Sequence, residues 1–385
     1  MNHFLIFGSY PTLGLAEFSA LYPTIRTISV GSGALLDDPT WNGEALMKQL
    51  GGTVKLGDLI GTIPLNSADG EKLAEIIAPF LASTSIDFGC TLFGAKKSTT
   101  KLPIQLKKAL KARGISSRWV TGKDGGSIAP AAISKMHLTT EGIDICLFVE
   151  GTRLLVGRTT HVQNADAWSH RDYGRPKRDE LVGMLPPKLA RMMVNLARMK
   201  KNGTLFDPFC GGGTVLMEAA LATSAKQILG TDIDKTQITN ARENTAWLRS
   251  QHIVKDVSHI KIEVADARTV GKRFEDGTID AVVTEGTLGP ALRGRETAKD
   301  LQKNASEISR IWQDTLRSLK PTLSKNARVV GVWPSFRTAS GMARVELSEA
   351  ELHTAGFELE ETPLLIYHRP GQYVMRRIVI LKPLH

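Results

Sequence analysis

The stretch Leu205-Phe206-Asp207-Pro208-Phe209-Cys210-Gly211-Gly212-Gly213-Thr214 constrains the fold more than any other part of the chain. An apolar pair leads into Asp-Pro, three glycines follow, and Val215 to Leu221 is a helix-competent run. This pattern predicts a strand, a tight glycine turn and a helix, the opening unit of an α/β nucleotide-type site. Glycines there let the backbone approach a ligand without a Cβ in the way, and the helix N-terminus aims amides at it. The spacing is not Gly-x-Gly-x-x-Gly, and no Lys-Ser or Lys-Thr follows Gly213. Both a dinucleotide fold and a phosphate loop are therefore poor fits.

At 385 residues the chain exceeds one typical core, so two or three domains are expected. Residues 1–60 read as a small α+β unit. Residues 61–165 alternate helices and strands and end in a hairpin around Gly151-Thr152. Residues 166–182 are polar and basic without periodicity, a linker by composition. Residues 183–385 open with a helix at Pro187 and carry the glycine turn. No run of eighteen apolar residues marks a membrane span. Cys90, Cys146 and Cys210 are widely separated, which suits a reducing cytoplasm and gives no zinc spacing.

Charge is unevenly placed. Residues 101–200 hold 18 Lys and Arg against 8 Asp and Glu, while the other 285 residues hold 31 of each. A concentrated surplus of positive charge is the footprint of a phosphate-backbone partner.

Beyond the glycine turn, acids recur where apolar runs end. Gln227 to Asp234 reads as a second strand ending in acids, of which Asp232 is placed to accept both hydroxyls of a ribose. Asp234 reads as the cap of the next helix. Lys261 to Ala267 reads as a third strand with Asp266 at its end. Ile279 to Val283 reads as a fourth, followed by Thr284-Glu285-Gly286-Thr287-Leu288-Gly289-Pro290. Arg369, Arg376 and Arg377, in and beside a terminal hairpin, could face RNA, although solvated edge charges are the commoner explanation.

Asp207-Pro208-Phe209-Cys210-Gly211-Gly212-Gly213-Thr214 resembles the first motif of S-adenosylmethionine-dependent methyltransferases that modify amino groups of nucleic acids. Together with the preceding Pro187-Lys188-Leu189-Ala190, in order and spacing, it resembles the THUMP-containing tRNA guanine-N2 methyltransferases, the position-ten enzymes of archaea and eukaryotes. The resemblance covers nearly the whole chain. It implies an α/β protein with a C-terminal class I, Rossmann-like, seven-stranded methyltransferase domain, preceded by ferredoxin-like and THUMP-like domains. It implies S-adenosylmethionine as cofactor and tRNA as partner, and leaves room for a small activating protein.

On that resemblance, Asp207 sits near the cofactor's amino-acid portion or sulfonium, and Phe209, Gly211, Gly213 and Thr214 line the turn. Asp232 with Ile233 serves the ribose, Asp266 with Ala267 serves the adenine, and Pro187 adjoins them. Lys96, Lys97, Lys107, Lys111, Arg113, Lys123, Lys135, Arg171 and Arg175 are candidates for RNA contact. Methylases of exocyclic amines carry Asp/Asn-Pro-Pro-Tyr/Phe after the fourth strand. Here Glu285 falls on the carboxylate position, whereas Gly286, Thr287 and Leu288 replace the prolines and the aromatic. Glu285 is the catalytic candidate. Methylation of rRNA or DNA, or RNA binding by a catalytically altered protein that keeps the cofactor fold, stay open as alternatives.

Overall fold

The computed structural model describes residues 1–384 apart from 39–40, 96–100, 123–125, 179–183, 293, 339–340 and 370. The chain divides into two compact units, Met1–Leu15 with Tyr22–Ala167, and Ala16–Leu21 with Trp168–His385.

In the N-terminal region the elements run β1 (His3–Phe7), α1 (Pro11–Leu21), β2 (Thr27–Val30), β3 (Gly33–Leu36), α2 (Gly43–Gln49) and β4 (Thr53–Pro64). They continue with α3 (Gly70–Ile77), β5 (Ser85–Phe93), α4 (Lys101–Ala112), β6 (Ser116–Val120), α5 (Pro130–Lys135), β7 (Ile143–Glu150) and β8 (Arg153–Val162). The eight strands make one sheet, β2-β3-β1-β4-β8-β7-β5-β6. Its first four strands pair antiparallel in the ferredoxin-like order. In the other half β5 runs parallel to β6 and β7, and β7 folds back on β8 as the predicted hairpin.

The division expected between residues 60 and 61 falls inside β4, which pairs with β1 on one side and β8 on the other. The sheet is thus continuous where the sequence suggested two domains. A buried network crosses the same region. Lys55 Nζ on β4 donates to Asp144 Oδ2 on β7 at 3.0 Å, and Thr159 Oγ1 on β8 donates to that oxygen at 2.6 Å. All three residues are at most 1% exposed.

Next come α6 (Ala165–Tyr173), α7 (Pro187–Leu196), β9 (Thr204–Asp207), α8 (Thr214–Ala222), β10 (Gln227–Asp232), α9 (Lys235–Ser250), β11 (Ile260–Val264) and β12 (Ile279–Thr284). The chain closes with α10 (Ala298–Leu319), β13 (Leu323–Thr338), β14 (Gly341–Arg344), α11 (Glu349–Ala355), β15 (Phe357–Leu359), β16 (Leu365–Tyr367) and β17 (Val374–Pro383). The sheet order is β11-β10-β9-β12-β13-β17-β15, with β14 on β13 and β16 on β17. β11 through β13 are parallel and β17 is antiparallel, so the seven expected strands are present with two short additions.

The parallel strands are apolar on both faces because helices cover both. Val282, Val283, Val329 and Val330 are fully buried. α10 starts at a Thr297/Asp300 capping box and lays Ile308, Trp312 and Leu316 on this core. Such a sheet binds ligands outside the carboxyl ends of its strands, where the chain direction of the crossovers switches. Here that point lies at the ends of β9 and β12.

The expected linker contains α6. Its buried face is Trp168 and Arg171, one helical turn apart. The Arg171 guanidinium stacks 4.1 Å from the Trp168 ring centre. A face built from an indole and a cation carries no aliphatic periodicity, which is why the sequence reads as irregular.

Candidate active site

The glycine turn follows β9 as expected. Gly211 and Gly213 have φ of +48° and +82°, the left-handed region that favours glycine. Gly213 caps α8, and a Cβ there would lie 3.2 Å from Ala241 Cα. Gly213 therefore packs behind the turn on α9, whereas Gly211, Gly212 and Thr214 line a cavity of about 460 Å³. That volume is in the range of small-molecule sites.

Four carboxylates from four strand ends converge on this cavity: Asp207, Asp232, Asp266 and Glu285. Asp207 is 1% exposed and accepts from the Phe209 amide at 3.1 Å. Burial pushes its carboxyl up to about 7; hydrogen bonds from Thr284 and the Phe209 amide oppose this, and the charges of Asp232 and Glu285 add to it. Asp232 accepts from the Gly211 and Asp234 amides, each at 3.0 Å. Burial raises its carboxyl and those amides counteract it. Asp234 caps α9 through the Thr236 amide, as predicted. Asp266 is gripped by the Arg268 guanidinium, which holds its carboxyl below the ordinary value. Ile233 and Ala267 line the same cavity.

Glu285 follows β12 directly. Its Oε1 accepts from Arg376 Nε at 2.6 Å. Burial raises the Glu285 carboxyl and the guanidinium pulls it back. Gly286 and Gly289 after it have φ of +69° and +79°. A Cβ on Gly286 would press on Trp312 at 3.0 Å, so the indole forms the floor of this segment.

Cys210 also lines the cavity. Burial and the neighbouring Asp207 and Asp232 charges raise its thiol well above the ordinary value. A thiol kept protonated is a poor nucleophile, which argues against covalent catalysis through sulfur.

The backbone at Lys177 is tied to the turn through Asn244. Asn244 on α9 accepts from the Lys177 amide at 2.9 Å and donates to the Lys177 and Gly212 carbonyls at 3.0 and 2.8 Å. Lys177, Met184 and Leu185 line the cavity, whereas Pro187, expected there, is the buried first residue of α7. Lys188, next in that signature, has its Nζ 5.8 Å from the Trp168 ring centre on α6.

Two predicted RNA contacts are overturned. Arg171 is 8% exposed and its Nε donates to Glu218 at 2.8 Å; Arg191 shares that carboxylate. Arg175 is 3% exposed and donates to Thr214 Oγ1 at 2.6 Å. Both are buried structural braces, and their partners lie 47 and 39 residues further on, beyond the reach of a local charge count. Lys107, Lys111 and Lys135 are exposed, and Arg113 is ion-paired with Glu71. Lys96, Lys97 and Lys123 lie outside the described residues.

Arg376 is not the edge charge the sequence suggests. It is 3% exposed and shares its strand face with the buried Ile378 and Ile380. A cation in phase with inward apolar residues was the available signal.

The donor set suits a cationic adenosyl ligand: Asp207, Asp232 and Glu285 crowd negative charge into a partly closed cavity, and a sulfonium would relieve it.

Comparison with known proteins agrees. Residues 175–346 match the family UPF0020, described as an RMKL-like methyltransferase domain. The tRNA (guanine(10)-N2)-dimethyltransferase of Methanocaldococcus jannaschii is 31% identical over 220 residues, 55% of this chain and 59% of that protein. The U6 snRNA (guanine-N(2))-methyltransferase THUMPD2 of Bos taurus is 26% identical over 125 residues, 32% of this chain and 22% of that one. The chain thus spans less than two thirds of the length of either relative. The crystal structure of TrmN from Thermus thermophilus superposes with a TM-score of 0.57 at 20% identity, covering 99% of this chain and 100% of that one. Among the described residues no helix is long and apolar enough to cross a membrane. Residues 175–346 thus resemble the RMKL-like methyltransferase domain, in a chain that shares the fold of TrmN.

Proposed function

We propose that the chain methylates the exocyclic N2 amine of a guanine in tRNA. The observation that carries this reading is Glu285, a cavity-lining carboxylate at the end of β12 that is held by Arg376. Bound S-adenosylmethionine would supply the methyl group on a sulfonium that leaves as a neutral thioether. Asp207 answers the positive charge of that ligand, Asp232 takes its ribose hydroxyls, and Asp266 serves its adenine end. The Gly211–Gly212 backbone lets it lie close.

Glu285 acts on the acceptor. A guanine amino nitrogen has its lone pair delocalised into the ring and is a weak nucleophile. A carboxylate accepting one N–H bond helps localise that pair, and receives the proton the nitrogen loses when its bond to carbon forms. Positioning supplies much of the remaining acceleration. Lys107 and Lys111, along the exposed side of α4, and Lys135 suit phosphate contact.

The test is incubation with an unmodified tRNA transcript and labelled S-adenosylmethionine, followed by mass spectrometry of nucleosides. N2-methylated guanosine is expected; transfer to rRNA or DNA alone would overturn the reading. A second reading, a guanine amine in another RNA, is favoured by the relative named for U6 snRNA. Including that RNA in the assay separates the two.

Asp232 gives a separate expectation. Asp232→Ala removes the ribose acceptor and strands the Gly211 and Asp234 amides. Affinity for S-adenosylhomocysteine, measured by calorimetry, should fall about 100-fold, since charge-assisted hydrogen bonds contribute roughly 1.5–3 kcal/mol each. A change under threefold would remove Asp232 from this role.

A further inference from the structure

The group that holds Glu285 comes from the opposite end of the domain, 91 residues away. Arg376 sits on β17 where that strand is paired on both sides, opposite Pro334 of β13 and Tyr367 of β16. Its guanidinium is therefore carried by backbone in the middle of a sheet. Nε donates to Glu285 Oε1 at 2.6 Å, and Nη1 donates to Gln372 Oε1 at 3.3 Å. Arg376 is buried whereas Gln372 is exposed.

Glu285 starts from the opposite condition. The segment 285–289 has no regular structure and holds two glycines at positive φ. Such a backbone gives a carboxylate little fixed direction of its own. A misplacement of about 1 Å in a reacting group costs on the order of 100-fold in rate. Rigidity must come from outside the segment, and a planar guanidinium on a carboxylate is suited to give it.

We propose that Arg376 is a positioning residue for Glu285, fixing Oε1 so that Oε2 faces the acceptor amine, with the exposed Gln372 joining this brace to the surface. The proposal rests on the reading of Glu285 as the acceptor of the amine N–H. Gln372 then becomes part of the active site's control: an RNA that moves its side chain also moves the carboxylate. Charged groups facing Glu285 are Arg376 and Asp207.

The experiment compares Arg376→Gln, Arg376→Lys, Glu285→Gln and the double variant Arg376→Gln/Glu285→Gln in the full chain, with unmodified tRNA transcript and labelled S-adenosylmethionine. Arg376→Gln is expected to lower kcat about 10- to 50-fold. KM for tRNA and the dissociation constant for S-adenosylhomocysteine should stay within about threefold of wild type. The double variant should be no slower than Glu285→Gln, because the brace acts only through that carboxylate. The acid limb of kcat should move to higher pH in Arg376→Gln, where burial raises Glu285 unopposed. Arg376→Lys keeps the charge but loses the fork, so kcat should fall while the limb stays near its wild-type position.

A kcat for Arg376→Gln within about threefold of wild type, alongside an inactive Glu285→Gln, would overturn the proposal and spare the catalytic reading. Additive losses in the double variant would also overturn it. Normal turnover in Glu285→Gln would sink the catalytic reading and this one together. Should tRNA take no methyl group from the wild type, the acceptor assignment fails alone. The brace is then decided by carbon-13 NMR titration of Glu285, assigned by its loss in Glu285→Gln. A titration unmoved by Arg376→Gln means no brace. If that variant does not fold, Arg376→Lys carries the comparison: unchanged turnover overturns the proposal.

Discussion

Glu285→Gln is expected to cut methyl transfer by about two to four orders of magnitude, the range for losing a positioned acid–base or charge-stabilising group. The amide keeps the shape of the side chain and can still accept from Arg376, so the fold should persist. What it loses is the negative charge that helps a guanine amine localise its lone pair, and the capacity to take its proton. Affinity for S-adenosylhomocysteine should change by less than about threefold, which separates a catalytic defect from a damaged pocket. Turnover of the wild type should fall on acidification, through a Glu285 value raised above that of an ordinary glutamate. Unchanged single-turnover rates in the variant would remove Glu285 from the chemistry.

Asp207→Asn should reshape the pH dependence of stability. The Asp207 carboxyl titrates near 3.8 when unperturbed and is pushed up to about 7 in the folded chain, chiefly by burial. A raised acid favours the fold while protonated. Its contribution is present below about pH 4 and is lost as pH rises through about 7. Three units correspond to roughly 4 kcal/mol, an order-of-magnitude ceiling. The wild type should therefore lose melting temperature between about pH 4 and 8 more steeply than Asp207→Asn, which carries no charge to bury. Parallel curves would exclude the effect. A cationic ligand should reverse part of it by drawing Asp207 into its charged form. Binding of S-adenosylmethionine near neutral pH should thus release protons, detectable by calorimetry in buffers of different ionisation enthalpy.

The acids of the cavity were legible because each closes a short apolar run. Leu205-Phe206 leads to Asp207, Ile228-Leu229 to Asp232, and Val282-Val283 to Glu285. Parallel strands covered on both faces must read as apolar runs, and their carboxyl ends are where such sheets put ligands. What stayed hidden are pairings across long separations. Arg376 answers Glu285 from β17, Arg171 answers Glu218 from α6, and Asn244 on α9 binds the Lys177 backbone. A residue's charge is written in the sequence, but its partner is not. The basic surplus of residues 101–200 was therefore only partly a surface: Arg171, Arg175 and Arg191 lie in the interior. Helix α2 also escaped notice, since seven residues capped by Asn42 hold too few turns to display a period.

The strand β4 has a consequence for how the N-terminal unit could be cut or inherited. A module excised at residue 61 would keep only Ile63 and its neighbours from β4, leaving the long β8 with an open edge that invites pairing with other chains. The same cut would take Lys55 away from Asp144, whose isolation as a buried charge costs about 3–5 kcal/mol. The two halves are bound by a shared strand and a shared ion pair, so they are expected to melt, be expressed and be exchanged as one piece.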